Sequence, residues 1–185
     1  MKSVVVYSSK YGSTKKYAEW ISDELKCDLK EKKAVSGREL GQYDVIVYGG
    51  GLYAGGVNGI DILTRNHDQL KDKKIILFTC GIADTKKQEN VDHILEGISK
   101  ALNDEILKNI KIFCLRGSLD YSELSLKHTM MMKMLKSMIQ KKNPSELSDE
   151  ELQILDTFGK SVDFMNKDSI KLIIEYIKSL ELTEE

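Results

Sequence analysis

The stretch "VVVYSSKYGST" (residues 4–14) decides the fold that we expect for this chain. Its three valines favour a β-strand, and a helical pattern begins at Ser13. A hydroxyl-rich segment with one glycine therefore joins the end of a strand to the start of a helix. Free N–H groups at a helix N-terminus attract anions, and Ser9, Ser13 and Thr14 add hydroxyl donors. The segment predicts either a phosphate site or an ordinary helix cap formed by Ser13 or Thr14.

The composition describes a chain of one domain's size without a strong net charge. It has 185 residues, of which 41% are hydrophobic, and a formal net charge of −1. This length suffices for one core, and the charge lacks the basic excess of nucleic-acid-binding proteins. No apolar run is long enough for a transmembrane helix, and the N-terminus lacks a signal-peptide pattern. We therefore expect a single domain over residues 1–185, located in the cytoplasm.

Cysteines and histidines are few and widely separated. The three cysteines, Cys27, Cys80 and Cys114, form no C-x-x-C pair, which favours reduced thiols over a disulfide framework. The three histidines show no metal-ligand spacing, so we expect no metal site.

Short apolar runs alternate with longer helical patterns along the chain. We predict strands at residues 3–7, 29–34, 44–49, 74–79 and 110–115, and helices at residues 13–25, 59–66, 89–102, 126–142 and 168–180. The runs at residues 45–47 and 75–78 are continuously apolar, as in parallel strands that helices cover on both faces. The pattern predicts a doubly wound α/β fold of three layers, with five parallel strands. Residues 143–166 are predicted to be a connection in which Ser145 and Ser148 cap helical turns.

This sequence lacks the signatures of other phosphate-binding folds. The Walker loop and the G-x-G-x-x-G fingerprint are both absent after the first strand. A phospho-receiver domain needs acidic residues at the ends of its first and third strands. These ends are Tyr7-Ser8-Ser9 and Gly49-Gly50, so the chemistry disfavours a receiver.

Two further loops, rich in glycine or in small residues, follow neighbouring strands of the predicted sheet. "YGGGLYAGGVNG" (residues 48–59) has five glycines among its first nine residues and Tyr53 at its centre. It predicts either a backbone that approaches a flat ligand, with Tyr53 stacked on it, or a flexible loop with a surface tyrosine. "TCGIADT" (residues 79–85) has small residues whose N–H groups could reach the ligand edge. We interpret Cys80 as a lining residue, and Asp84 as a ligand contact or a helix cap.

The loop Ser9-Lys10-Tyr11-Gly12-Ser13-Thr14 resembles the S-x-T/Y-G-x-T phosphate loop of the flavodoxin family. This resemblance implies a flavodoxin-like sheet of order 2-1-3-4-5 and FMN as the cofactor, which performs the redox chemistry itself. We therefore assign no catalytic side chain. The implied cofactor site comprises the three loops, namely Ser9, Lys10, Tyr11, Gly12, Ser13, Thr14, Gly50, Gly51, Leu52, Tyr53, Ala54, Gly55, Thr79, Cys80, Gly81, Ile82 and Asp84.

A methionine-rich segment follows the fifth predicted strand. Residues 130–138 contain five of the chain's seven methionines. Apolar residues recur at positions 126, 130, 134 and 138, and at 131, 135 and 139, with lysines between them. This spacing predicts an amphipathic helix that packs in the core or against another subunit, lies on a membrane surface, or covers an apolar substrate.

With the three loops, the C-terminal third makes essentially the whole chain resemble the flavodoxin-type, menaquinone-dependent protoporphyrinogen dehydrogenases. The matching features are Gly117, Leu119 and Tyr121 after the fifth strand, the helix at residues 126–142, and Asp163-Phe164 ahead of Ile170. The resemblance implies oxidation of a porphyrinogen and transfer of electrons to a quinone. Arg116 and Lys127 are the candidate cations for its propionates, or they form surface ion pairs. The alternatives are an electron carrier for a partner protein, and a non-redox module whose loop only caps a helix.

Overall fold

The computed structural model describes residues 1–53 and 55–182, and its main feature is a parallel sheet. Within these two ranges, the eight strands in chain order are β1 (Ser3–Ser8), β2 (Asp28–Glu31), β3 (Val45–Tyr53), β4 (Gly56–Val57), β5 (Lys74–Gly81), β6 (Ile110–Arg116), β7 (Ser118–Asp120) and β8 (Ser161–Asp163). The five longer parallel strands lie in the order β2-β1-β3-β5-β6. Numbered by themselves, they have the predicted order 2-1-3-4-5, which confirms the flavodoxin-like fold class.

Nine α-helices lie within the described residues. They are α1 (Ser13–Leu25), α2 (Gly37–Leu40), α3 (Asp61–Arg65), α4 (His67–Leu70), α5 (Gln88–Ala101), α6 (Asp104–Asn109), α7 (Leu126–Ile139), α8 (Asp149–Thr157) and α9 (Lys171–Leu182). Short 3-10 turns occupy Lys32–Ala34, Pro144–Glu146 and Lys167–Ile170.

Alternate residues of each central strand enter opposite hydrophobic cores. In β1, Val4 and Val6 pack in the core beneath α2 to α6, whereas Val5 packs in the core beneath α1 and α9. In β5, Ile76 and Phe78 join the second core. Burial on both faces explains why these strands are continuously apolar in the sequence, and it produces the predicted three layers.

The segment at residues 143–166 differs from the predicted connection because it contains both a helix and a strand. Ser148 caps α8, and Glu151 completes a capping box, so this half of the cap prediction is confirmed. Ser145 caps nothing; its N–H is instead bonded to Asn143, the cap of the preceding 3-10 turn. β8 pairs antiparallel with β7, the short strand that follows β6 in the chain. Such a short strand is defined by its distant partner and has little local signal.

Candidate functional site

The segment between β1 and α1 presents an uncapped helix N-terminus. Gly12 is the N-cap of α1 with φ +95°, and no side chain accepts a hydrogen bond there. The alternative that Ser13 or Thr14 caps α1 is therefore wrong. Ser9 Oγ instead accepts the N–H of Gly12 at 3.1 Å, which holds the turn closed. The first-turn N–H groups of α1 are thus available to an anion.

The predicted glycine loop after β3 is largely strand. β3 continues four residues beyond its predicted end, and Leu52 and Tyr53 pair with β4 in a small hairpin. A Cβ atom on Gly49 would lie 2.1 Å from Phe78 Cζ, and one on Gly50 would lie 2.3 Å from Val57 Cγ1. Close packing within the protein therefore requires these two glycines, whatever ligand is bound.

Tyr53 is part of an aromatic cluster that was not predicted from the sequence. Its ring stacks on His128 of α7, with the ring centres 5.6 Å apart, and Tyr11 meets it edge-on at 6.1 Å. Burial raises the pKa of Tyr53 to about 12, so its hydroxyl stays protonated. The Tyr11 hydroxyl is 2.6 Å from His128 Nδ1. The cluster joins the first and second predicted loops to α7.

One pattern in the sequence could have indicated that His128 faces the site. It precedes Met131, Met132 and Leu135 by three, four and seven positions, which places all four residues on one helix face. The pattern could not show that this face turns towards Tyr11, because the contact spans 117 positions.

The loop after β5 is held by side chains from β6 and α8. Arg116 Nε and Nη2 donate to the Ile82 carbonyl oxygen at 3.3 and 3.2 Å, and Gln153 Nε2 donates to it at 3.2 Å. The Arg116 guanidinium also lies 3.9 Å from the centre of the Phe164 ring. Arg116 Nη1 also lies 3.9 Å from Asp84 Oδ1, so Arg116 is occupied within the protein, as the ion-pair alternative expects. Asp84 Oδ1 accepts the N–H of Lys86, so this carboxylate caps a turn.

The Cys80 thiol lies in a buried position at the floor of the site. Burial raises its pKa to about 12, which leaves almost no thiolate at neutral pH. A Cβ atom on Gly117 would lie 2.8 Å from Cys80 Sγ, so glycine is required where β6 leads into β7. This environment agrees with the interpretation of Cys80 as a lining residue.

A cavity of about 430 Å³ opens between the three loops and the helices α5, α7 and α8. This volume is within the range of small-molecule sites. The predicted residues that line it are Ser9, Tyr11, Ser13, Thr14, Gly51, Leu52, Tyr53, Gly55, Cys80, Gly81 and Ile82. The predicted residues outside its lining are Lys10, Gly12, Gly50, Thr79 and Asp84. Ala54 lies outside the described residues.

The far wall of the cavity comes from the C-terminal third of the chain. Met131, Met132 and Leu135 of α7 line it together with Ile154 of α8. The polar lining of the cavity also includes Asn90 of α5, which is 3% exposed and donates to the Asp84 carbonyl oxygen. The predicted amphipathic helix at residues 126–142, observed as α7, thus covers the site with one apolar face.

A second apolar face of α7 points away from the protein. Leu126, Met130, Met134 and Met138 are 90%, 74%, 62% and 58% exposed. They recur every four residues and so form one stripe along the helix.

Residues 1–53 and 55–182 contain neither a metal site nor a membrane span. There, no group of three or more histidine, cysteine, aspartate or glutamate residues has the arrangement of a metal site. No helix in these ranges combines the length and apolar character that crossing a bilayer requires.

Comparison with known proteins identifies a family for most of the chain. Residues 4–146 match the flavodoxin domain family. No curated protein matches the chain.

Solved structures show more distant similarity. A WrbA-like flavodoxin from Agrobacterium tumefaciens is 22% identical, over 54% of this chain and 72% of its own, with a TM-score of 0.42. Oxidised flavodoxin 1 from Bacillus cereus is 20% identical, over 63% of this chain and 86% of its own, with a TM-score of 0.40. Two-electron reduced flavodoxin from Megasphaera elsdenii is 17% identical, over 60% and 82%, with a TM-score of 0.41. TM-scores this low reflect partial superposition, so the family assignment depends on the match over residues 4–146.

Proposed function

Since the chain belongs to the flavodoxin domain family, whose cofactor is FMN, we propose that it is an FMN-dependent oxidoreductase of an organic substrate that is largely apolar. FMN supplies hydride and single-electron chemistry when bound. The protein's own residues would bind the cofactor, exclude water and select the substrate.

The residues of the three loops fit FMN at both of its ends. The uncapped N-terminus of α1, with Ser9 and Thr14 beside it, suits the doubly charged phosphate. Tyr53 presents an aromatic ring at the cavity wall, where a flat ring system would stack. We propose that the predicted loop residues lining the cavity hold FMN, that Gly12 contributes through the positive φ that it permits, and that Gly50 contributes through its close packing against Val57.

The observation that carries the enzymatic proposal is the cover formed by α7 and α8. A protein that passes electrons to a partner needs an accessible flavin edge. Here Met132, Leu135 and Ile154 form an apolar wall opposite the loops. An apolar cavity covered on one side by two helices favours a largely apolar organic molecule over the surface of a partner protein, because burying charged protein groups there would be costly.

Protoporphyrinogen as electron donor and a quinone as acceptor are the specific pair that we propose. The support is the sequence resemblance over the C-terminal third, together with the apolar wall of the cavity. Arg116 is occupied by the Ile82 carbonyl, so the cations that we propose for the propionates are Lys10 and Lys127, which both act on His128 at the cavity. Lys10 lies at the rim, where its ammonium contacts His128.

Peripheral contact with an anionic membrane is part of the same proposal. The exposed stripe of Leu126, Met130, Met134 and Met138 is flanked by the exposed Lys127 and Lys133. Apolar side chains beside cations match the boundary between acyl chains and anionic head groups. Such contact would bring the cavity close to a membrane-dissolved quinone.

An electron carrier that serves a partner protein is the second candidate. It is supported by the family itself, since flavodoxins pass electrons to redox partners. In this case the exposed stripe of α7 would meet the partner.

The decisive experiment mixes FMN-loaded protein anaerobically with protoporphyrinogen and a soluble quinone, and follows porphyrin fluorescence against a sample without protein. We expect a protein-dependent rise that requires the quinone. Met132→Gln, which places an amide in the cavity wall, should slow the rise, whereas the outward Met134→Gln should not. No rise, from protein whose flavin is bound and reducible, would reject this substrate pair and favour the electron carrier.

A further inference from the structure

A histidine from α7 contacts two consecutive residues of the segment that carries the proposed phosphate site. His128 Nδ1 is 2.6 Å from the Tyr11 hydroxyl oxygen, and His128 Nε2 is 3.2 Å from Lys10 Nζ. α7 is thereby connected to the segment between β1 and α1. The flavodoxin-type loop itself gives no reason for a histidine at this place.

These two contacts select one tautomer of the imidazole. A lysine ammonium can only donate, so His128 Nε2 must accept from Lys10. Nδ1 then carries the ring hydrogen and donates it to the Tyr11 oxygen. Partial burial, with the positive charges of Lys10 and Lys127, holds the pKa of His128 below its usual range and favours this neutral form.

The Tyr11 oxygen also receives a second hydrogen. The backbone N–H of Ser125, the N-cap of α7, donates to it at 3.3 Å. A phenol has two acceptor positions and one hydrogen. Because the N-terminal turn of α7 fills both acceptor positions, the hydroxyl hydrogen of Tyr11 is left to donate. Tyr11 lines the cavity, so an acceptor on a ligand can receive this hydrogen.

We propose that Tyr11 donates its hydroxyl hydrogen to the FMN phosphate, and that His128 is the positioning residue that enforces this donation. The inference rests on the proposed function, because it requires FMN in the cavity. His128 acts through Tyr11 and does not touch the phosphate. The arrangement connects recognition of the phosphate to α7, which also forms the far wall of the cavity.

The test compares FMN with riboflavin, which has the same ring system and ribityl chain but no phosphate. Dissociation constants are measured by quenching of flavin fluorescence for the wild type and the variants. Tyr11→Phe should weaken FMN binding roughly tenfold to a hundredfold, because it removes a donor to a charged group. It should leave riboflavin binding nearly unchanged, since the ring against Tyr53 remains.

His128 is tested through its dependence on Tyr11. His128→Ala should also weaken FMN selectively, by less than Tyr11→Phe does. The double variant should bind FMN as Tyr11→Phe does alone, because the histidine acts only through the hydroxyl. His128→Asn, whose amide nitrogen lies near the position of Nδ1, should keep the selectivity for FMN. His128→Gln, whose amide reaches towards the position of Nε2, should lose it.

Three results would overturn the inference. These are equal losses of FMN and riboflavin in Tyr11→Phe, additive effects in the double variant, and unchanged selectivity in both single variants. Tyr11→Phe keeps the aromatic cluster, so the comparison stands even where His128→Ala does not fold. A wild-type protein that binds neither flavin would instead refute the proposed function, and with it this inference.

Discussion

Ser13 Oγ accepts the backbone N–H of Ser118 at 2.9 Å and lies 2.8 Å from Ser118 Oγ. One hydroxyl thereby connects the first turn of α1 with β7, across 105 positions of the chain. Within the proposed phosphate loop, Ser13 therefore has a structural partner already, whereas the first-turn N–H groups of α1 have no side-chain cap. The two serines join the flavodoxin-type loop to the C-terminal third.

Ser13→Ala should lower the free energy of unfolding by about 1–3 kcal/mol, because the half-buried N–H of Ser118 loses its acceptor. Urea unfolding followed by circular dichroism measures the change. The control is Ser99→Ala, whose hydroxyl bonds to Glu96 on the exposed surface of α5 and should matter by less than about 0.5 kcal/mol. Equal effects of the two substitutions would contradict the structural role of Ser13.

The double variant Ser9→Ala/Thr14→Val should weaken FMN binding by at least about a hundredfold, since each change removes a hydroxyl beside the charged phosphate. Valine keeps the shape of the buried Thr14, so the loss should reflect hydrogen bonding and not packing. Flavin fluorescence titration measures the affinity. Thr14→Ser, which keeps the hydroxyl, is the matched control. An FMN affinity unchanged by the double variant would refute the phosphate site.

Tyr53→Ala should retain FMN but shift its two-electron potential by about 10–30 mV, because aromatic stacking is worth about 0.5–1.5 kcal/mol and about 1.4 kcal/mol corresponds to about 30 mV. Tyr53→Phe keeps the ring and should stay near the wild-type potential. Both are measured by spectroscopic titration against redox dyes. Identical potentials in wild type and Tyr53→Ala would argue against stacking on Tyr53.

Native Cys80 should resist alkylation. With a pKa of about 12, roughly one thiol in ten thousand is ionised at pH 8, and the side chain is also buried. Cys27, with a pKa of about 11, should also react slowly. Iodoacetamide labelling followed by mass spectrometry tests this, and the same protein in urea is the control in which all cysteines react. Rapid modification of native Cys80 would indicate a reactive thiol instead of a lining residue.

Met130→Gln/Met134→Gln should abolish binding to anionic vesicles while leaving stability within about 0.5 kcal/mol, because both side chains are exposed. Co-sedimentation with vesicles measures binding, which should weaken as salt is raised. Met132→Gln, on the cavity face, is the matched control and should keep vesicle binding. If the wild-type protein does not bind anionic vesicles at low salt, membrane contact of this stripe is ruled out.

The sheet and most of the proposed cofactor site were predictable from local patterns. A strand buried on both faces must be continuously apolar, as Val4, Val5 and Val6 show, and the loops at the ends of β1, β3 and β5 could be identified by their glycines and hydroxyls. The reason for the glycines was not predictable. Gly49 is required by Phe78, which is distant in the sequence and adjacent only through the sheet, and Gly50 is required by Val57, which the hairpin folds back onto it.

The sequence by itself determined the strands, the hydroxyl-rich loop before α1 and the amphipathic character of α7, because hydrophobic period and backbone preference act over a few residues. Only the tertiary structure decided which face of α7 covers the cavity, that β8 pairs with β7, and that His128 meets Tyr11. These features depend on contacts between positions far apart in the chain. A short stretch of sequence cannot determine such a contact, because the contact depends on how the whole molecule packs.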